Sequence, residues 1–313
     1  MSIRPADLSP DPIMTNFAVQ AGVGGPFIAD EIAPVVPVDQ AYKYPVYPRA
    51  ELKAPPETRV GIGGKPNKYR FLAPVWTEAQ STRHALDDEM PLEVQMAPGN
   101  SFLQRQGSRA AMLTHSLKMG VETRIKAALD AATYTAGALV KYDAGTGTPD
   151  AEPDFDIAKA AIELRGGIAT HVIIPAKVAR VMKKMKSIRD LRKETNSELL
   201  VNGDLPPVLW NLKVIIPGAL TDTAESGLAA TIGYLWDTET IYVLMVDPSV
   251  SANQEAFTAL IQARYSAWGS PFQAYSWPNP HQSQRTVWSS VDLHQNEHVL
   301  ADGAIYRITD TLT

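Results

Sequence analysis

Cysteine is absent from all 313 residues. That excludes a disulfide framework, a thiolate metal site and a cysteine nucleophile, and it fits a reducing compartment. Long hydrophobic runs are missing as well. No stretch approaches the roughly 18 apolar residues of a membrane span, and Met1-Ser2-Ile3-Arg4-Pro5-Ala6-Asp7 lacks the apolar centre of a secretion signal. Positive charge is in deficit, with 29 Lys and Arg against 34 Asp and Glu and a net charge of −5. A dedicated nucleic-acid binder would carry a basic patch or stripe, so the balance argues against one. The remaining composition, 45% hydrophobic and 20% charged, is that of a core-forming globular chain.

Proline is abundant, and it is concentrated at one end. Fourteen of the 24 prolines fall in the first hundred residues. They sit among apolar residues, as in Phe27-Ile28-Ala29-Asp30-Glu31-Ile32-Ala33-Pro34-Val35-Val36-Pro37-Val38 and Tyr42-Lys43-Tyr44-Pro45-Val46-Tyr47-Pro48. Proline fixes φ, removes a donor and biases its predecessor toward extended geometry, so this texture predicts neither a helix nor a central strand. Disordered segments are poor in Val, Ile, Tyr and Phe. Residues 1–50 are therefore expected to form an extended arm ordered against another surface, such as neighbouring copies. Loss of residues 1–30 should then damage assembly more than the fold of residues 104–313.

Residues 51–75 follow as a loop with extended sides: Ala54-Pro55-Pro56, a tip at Gly61-Ile62-Gly63-Gly64-Lys65-Pro66, then Tyr69-Arg70-Phe71-Leu72. Arg49, Lys53, Arg59, Lys65, Lys68 and Arg70 outnumber Glu51 and Glu57 there, which suits contact with an acidic neighbouring surface or a solvated loop. From Gln104 to Thr135 no proline occurs, and Leu113, Leu117, Val121, Ile125, Leu129 and Ala132 recur at helical spacing. That predicts an amphipathic helix about 45 Å long at roughly 1.5 Å per residue, with Glu122 and Lys126 as an i,i+4 pair. Asp143-Ala144-Gly145-Thr146-Gly147-Thr148-Pro149 breaks the chain.

Beyond the break the pattern is α/β. Asp154 or Asp156 can cap a helix carrying Ile157, Ala160, Ala161 and Leu164 and stopped by Gly166-Gly167. A strand at His171–Ile174 precedes a helix opened by Pro175, with Val178, Val181, Met182 and Met185 at helical spacing. Strands are predicted at Leu212–Ile216, Thr231–Leu235 and Ile241–Val246. The tail adds Phe257–Tyr265, Thr286–Leu293 and Ala304–Thr309, which are placed to return to the long helix.

Searches for chemistry end without a constellation. The glycines around Gly63 match neither the P-loop nor the dinucleotide fingerprint. His294 and His298 are four apart, with Asp292 and Glu297 nearby, but they lie in strand-like sequence. His84, His115, His171 and His281 are scattered. Asp87-Asp88-Glu89 lacks the alternation of a calcium loop, and Ser266 and Ser270 sit in no nucleophile elbow. Lys183-Lys184-Met185-Lys186, with Arg189, Arg192 and Lys193, interleaves Met182, Ile188 and Leu191 and reads as the outer face of helices. Stacking on nucleic acid would want aromatics there. No catalytic, cofactor-binding or metal-binding residue is assigned, and no enzymatic activity or cofactor is expected.

Taken in order, these segments resemble the major capsid protein of tailed bacteriophages, with the Hong Kong 97-type fold in its lambda-like branch. The Phe27–Val38 segment is similar to the family's opening. Ala54-Pro55-Pro56 and Tyr69 fit its extended loop, and Gln104–Thr135 its spine helix. Asp156–Leu164, His171–Pro175 and Val178–Met185 resemble its axial domain. Leu209-Trp210-Asn211-Leu212-Lys213-Val214-Ile215-Ile216-Pro217 matches its leucine, aromatic or glycine turn, and valine-rich strand.

The resemblance implies an α+β capsid fold: an N-terminal arm (1–50), an extended β-hairpin loop (51–75), a peripheral domain with the spine helix (76–145), an axial α/β domain (146–265) and C-terminal strands returning to the peripheral domain (266–313). It implies pentamers and hexamers closing into an icosahedral head shell, assembled in the host bacterial cytoplasm and ending in the virion. Packaged DNA would be touched only non-specifically, without a membrane. Partners would be a separate scaffolding protein, since no long helical extension precedes the arm, together with a portal and a decoration protein. Lys53, Lys65 and Lys68 lie on the loop that some members crosslink, but no partner Asn or assisting Glu is identified. An encapsulin-like compartment or another phage structural subunit, such as a tail or decoration protein, is the alternative. An α/β enzyme using Asp or His is a further one.

Overall fold

The computed structural model describes residues 10–22, 26–47, 58–60, 64–68, 74–91, 102–144, 149–195, 205–222, 224, 229, 231–236, 239–250, 257–278 and 286–313. Its longest element is α3, Phe102–Asp130, close to the predicted span. Val121, Ile125 and Leu129 are buried along one stripe of it. α3 lies across a sheet of five strands. There β1 (Val35–Val38) pairs in parallel with β12 (Leu260–Tyr265), and β12 pairs with the C-terminal half of β14 (Thr286–Val299). The N-terminal half of β14 is flanked by β13 (Gln273–Pro278) and β4 (Arg83–Pro91). β14 runs on past the predicted end at Leu293, because its polar residues Gln295 and Glu297 find partners inside the molecule.

The second sheet has six strands in the order β5-β15-β11-β6-β8-β7. These are Thr135–Gly137, Ile305–Thr309, Ile241–Leu244, His171–Ile173, Leu212–Ile215 and Val208–Leu209. Side chains alternate between faces of a strand, and both faces are covered. Val172, Ile241, Val243, Tyr306 and Ile308 pack with the helices α4 (Glu152–Glu163), α5 (Ala176–Met182) and α6 (Lys186–Thr195). Ile173, Tyr242, Leu244 and Ile305 face the core that α3 shares. The Tyr242 hydroxyl donates to the Asp130 carboxylate, tying the C-terminal end of α3 to this sheet. Between β7 and β8, Trp210 and Asn211 have φ of 49° and 66°, a two-residue hairpin turn of the left-handed kind. Two ribbons stand apart: β2–β3 (Ala41–Val46 with Val75–Gln80) and β9–β10 (Leu220–Asp222 with Ile232–Tyr234).

The N-terminal segment departs from its expected form. Pro12–Gly22 is a helix, α1. Proline suits a first helical position, and the Asp11 carboxylate accepts the Ile13 and Met14 N–H groups at 2.9 and 3.2 Å. α1 packs on α3, where a side chain on Gly107 would meet the Phe17 ring at 2.9 Å. A short helix α2 (Ala29–Ile32) and β1 continue along the same chain, with Ile28, Ile32, Ala33 and Val36 buried. Much of residues 12–38 is thus part of the chain's own core rather than a free arm.

Other differences have local causes. α4 turns Phe155, Ala158 and Ile162 inward; of the apolar positions that marked this helix in the sequence, Ala161 packs against the core while Ile157, Ala160 and Leu164 are exposed. Asp154 does not cap α4: its carboxylate accepts the Leu139 N–H and the Tyr142 hydroxyl. Pro175 precedes α5 in extended geometry, with ψ 145°. Glu122 does not pair with Lys126, whose ammonium instead lies 2.6 Å from Asp130. β15, expected with β12 and β14 to return to the long helix, pairs within the six-stranded sheet, where its Ile305 faces the core that α3 shares. The loop at 51–75 lies largely outside the described residues. Its described neighbours β2 and β3 are the flanking strands, and Lys65 and Lys68 are exposed, whereas Lys53 is not described.

Candidate functional site

Where chemistry would be sought, the structure places packing. His294 and His298 share a face of β14, about 13 Å apart at roughly 3.3 Å per residue, too far for one ion. The His298 Nε2 is 2.6 Å from the Tyr42 hydroxyl and its ring stacks on Tyr44 at 3.9 Å between centroids. His294 packs edge-on against Trp268. Burial holds His84, His171, His294 and His298 below the ordinary imidazole value. His115 lies against Phe27, while His281 is outside the described residues. Asp87, Asp88 and Glu89 alternate along β4, with Asp88 3.2 Å from Arg109 and Glu89 accepting the Thr286 hydroxyl. Ser266 and Ser270 belong to the turn between β12 and β13, where the Ser270 Oγ donates to the Phe272 carbonyl. Gly64 and Lys65 carry no regular structure, and Gly61–Gly63 lie outside the described residues. Among the described residues no group of three His, Asp or Glu could hold a metal, and no helix is long and apolar enough to cross a membrane.

The most specific polar site joins the N-terminal segment to α3. Glu122, fully buried, accepts the Ile28 and Ala29 N–H groups at 3.2 and 3.0 Å and the Trp236 indole N–H at 2.8 Å. These donors are neutral, so burial dominates and pushes the carboxyl above its ordinary value, while the three hydrogen bonds oppose it. Beside it, Gln262 donates to the Ala29 and Ala33 carbonyls at 3.0 and 2.8 Å and accepts from Gln295 at 2.6 Å. Arg124 grips Glu297 through two hydrogen bonds of 2.7 and 3.0 Å. Lys118 pairs with Asp30, and Lys213 of β8 with Glu31. Three segments far apart in sequence are thereby locked in one register. Sequence reading missed this site; its signal was an acid, Glu122, one position after Val121 on the apolar stripe of the long helix.

The outer surface carries exposed apolar and basic side chains. On β2–β3, Val75 and Trp76 are exposed. On β9–β10, Leu220, Ile232 and Tyr234 share one open face. The basic run forms the end of α5 and the start of α6: Met182, Met185 and Ile188 are buried, whereas Lys184, Lys186 and Arg189 are exposed; the side chains of Arg192 and Lys193 are not described.

No family model matches the chain, and no curated protein matches it. Solved structures do. A phage-related protein of Bordetella bronchiseptica RB50 superposes with a TM-score of 0.68 at 16% identity, covering 97% of this chain and 98% of that one. The capsid of cyanophage P-SCSP1u gives 0.56 at 9% identity, over 92% and 89% of the two chains. A virus-like particle from Pyrococcus furiosus gives 0.54 at 12% identity, over 95% and 98%. The chain has the α+β, Hong Kong 97-like capsid fold that its sequence resembles.

Proposed function

We propose that the chain is the major capsid protein of a tailed bacteriophage, which self-assembles into an icosahedral head shell around the packaged genome. The observation that carries this reading is the whole-length likeness to phage capsid structures, a cyanophage capsid among them. In this reading the unit built on α3 is the peripheral domain, and the six-stranded unit is the axial domain at pentamer and hexamer centres. The virion is the final location and the host cytoplasm the place of assembly. Scaffolding, portal and decoration proteins are the partners, and DNA contacts are non-specific, in keeping with a net charge of −5. The role is structural rather than catalytic.

Electron microscopy of the expressed chain, alone and with its genomic neighbours, tests this. Closed, hollow shells are expected; a chain that stays monomeric under every condition overturns the reading. An encapsulin-like compartment is the second reading, since a virus-like particle from Pyrococcus furiosus shares the fold. Nuclease-protected DNA in particles from producing cells separates the two.

A further inference from the structure

Between Glu163 and Asp190 the chain holds no acid, while Arg165, Lys177, Arg180, Lys183, Lys184, Lys186 and Arg189 supply seven cations. That is a local inversion in a chain whose net charge is −5. Six of the seven fall on α5, α6 and the turn between them, within the crossover that joins the parallel neighbours β6 and β8. Val178, Met182, Met185 and Ile188 are buried beneath this corner, and Lys177, Arg180, Lys184, Lys186 and Arg189 stand exposed above it. Lys177 is committed to Glu239 at 3.6 Å, whereas the Arg180 guanidinium donates to a neutral group, the Tyr234 hydroxyl. Among the described residues, Lys184, Lys186 and Arg189 have no carboxylate partner. Asp150 and Asp190 adjoin the corner half-buried, Asp150 accepting the Ser187 hydroxyl. The exposed acids of this helical layer, Glu152, Asp156 and Glu163, belong to α4, which packs on β15 and β11 instead.

What the corner lacks selects its partner. A protein partner is anchored by apolar and aromatic side chains at the centre of an interface. Large exposed apolar side chains occur on α4 and on β9–β10, but none among the described side chains of α5 and α6. A single nucleic-acid strand is held by aromatic rings stacked on successive bases. Neither helix carries an aromatic residue, and Tyr234 at the border is a lone ring whose hydroxyl is already bonded. The phosphates of a duplex require neither feature, since Lys and Arg neutralise them whatever the base sequence.

We propose that the α5–α6 corner is a contact surface for the phosphate backbone of duplex DNA, made by Arg180, Lys184, Lys186 and Arg189. The inference rests on the shell reading, in which packaged duplex lies against the subunit, and it assigns this corner to the inner wall of the head. So few phosphate contacts hold weakly and release with salt.

Fluorescence anisotropy of a mixed-sequence DNA duplex, titrated with dissociated full-length subunits across a salt series, reads the contact. The logarithm of affinity should fall with that of salt at a slope of about −3 to −4, roughly −0.9 for each phosphate neutralised. Lys184→Gln with Lys186→Gln should weaken binding about tenfold or more at low salt and flatten the slope by about two, for any sequence. Lys141→Gln, at an exposed position outside the corner, should bind like the wild type. A double variant that binds like the wild type, or a Lys141 variant weakened as much as the double, overturns the assignment. Competition by polyglutamate as strong as that of unlabelled duplex also overturns it, in favour of an acidic protein partner. A second measurement needs no variant: Lys184 and Lys186 should react with an amine reagent severalfold more slowly in DNA-filled particles than in emptied ones. Equal reactivity overturns the lumenal assignment and leaves the shell reading standing. A wild type that binds duplex through the corner yet never forms particles overturns the shell reading, and the lumenal assignment with it, while the phosphate contact stands.

Discussion

The core around α3 and the core of the six-stranded unit are held together in different ways. Around α3 the chain buries polar groups and satisfies them with its own segments: Glu122 with Ile28, Ala29 and Trp236, Gln262 with Ala29 and Ala33, Arg124 with Glu297. The core between the second sheet and α4 to α6 is largely apolar, and both units leave large apolar side chains exposed, Met112, Val75 and Trp76 in the first and Ile157, Leu164, Ile168 and Ile232 in the second. Buried hydrogen bonds fix which segment docks where, because a wrong register strands donors at about 1–3 kcal/mol each. Apolar packing carries no such directional requirement. The first core is held by buried hydrogen bonds as well as packing, the second mainly by packing.

The largest effect should come from the apolar core. Phe155→Ala empties a fully buried position and should lower unfolding stability by about 3–5 kcal/mol, read from denaturant midpoints of dissociated subunits. Glu122→Ala leaves three donors without their acceptor and should cost about 2–4 kcal/mol. Unlike Phe155→Ala, it should also raise amide exchange at Ile28 and Ala29. If exchange there stays slow, Glu122 is not what holds the segment.

Titration sharpens the contrast. Burial raises the Glu122 carboxyl above its ordinary 4.5, so the folded state holds that proton more tightly than the unfolded chain. The group's contribution therefore falls as pH rises from 4.5 through the raised value. Glu122→Gln should remove that component from the stability profile. Burial moves His298 the other way, below 6.5. The unfolded state then binds the proton first, so its contribution is complete above pH 6.5 and is lost as pH falls through the window beneath. Tyr42, Tyr44 and Glu297 face this ring, so acid should loosen β2–β3 from β14. His298→Gln should flatten that response, the smallest of these effects; an unchanged profile would assign the acid sensitivity to His84, His171 or His294.

The strongly periodic elements were legible in the sequence: α3 and the strands at His171, Leu212, Ile241 and Ile305 of the six-stranded sheet, whereas the short strand Thr135–Gly137 was read as the end of the long helix. The N-terminal helix was legible and missed, for Asp11-Pro12 is a cap followed by a first-turn proline, and the proline density of the wider segment hid it. The phase of α4 was not legible, because Phe155/Ala158/Ile162 and Ile157/Ala161/Leu164 are both apolar at helical spacing and only the sheet beneath decides between them. Nor was the junction at Glu122, whose donors come from residues 28, 29 and 236. The extent of β14 escaped for the same reason, since Gln295 and Glu297 read as surface until Gln262 and Arg124 are brought beside them.

Hydrogen exchange measured on dissociated subunits and on assembled particles tests this division of labour most directly. Residues 28–33 should be protected already in the dissociated chain, held by Glu122 and Gln262, and assembly should leave that protection unchanged. Residues 28–33 protected only after assembly would contradict the account.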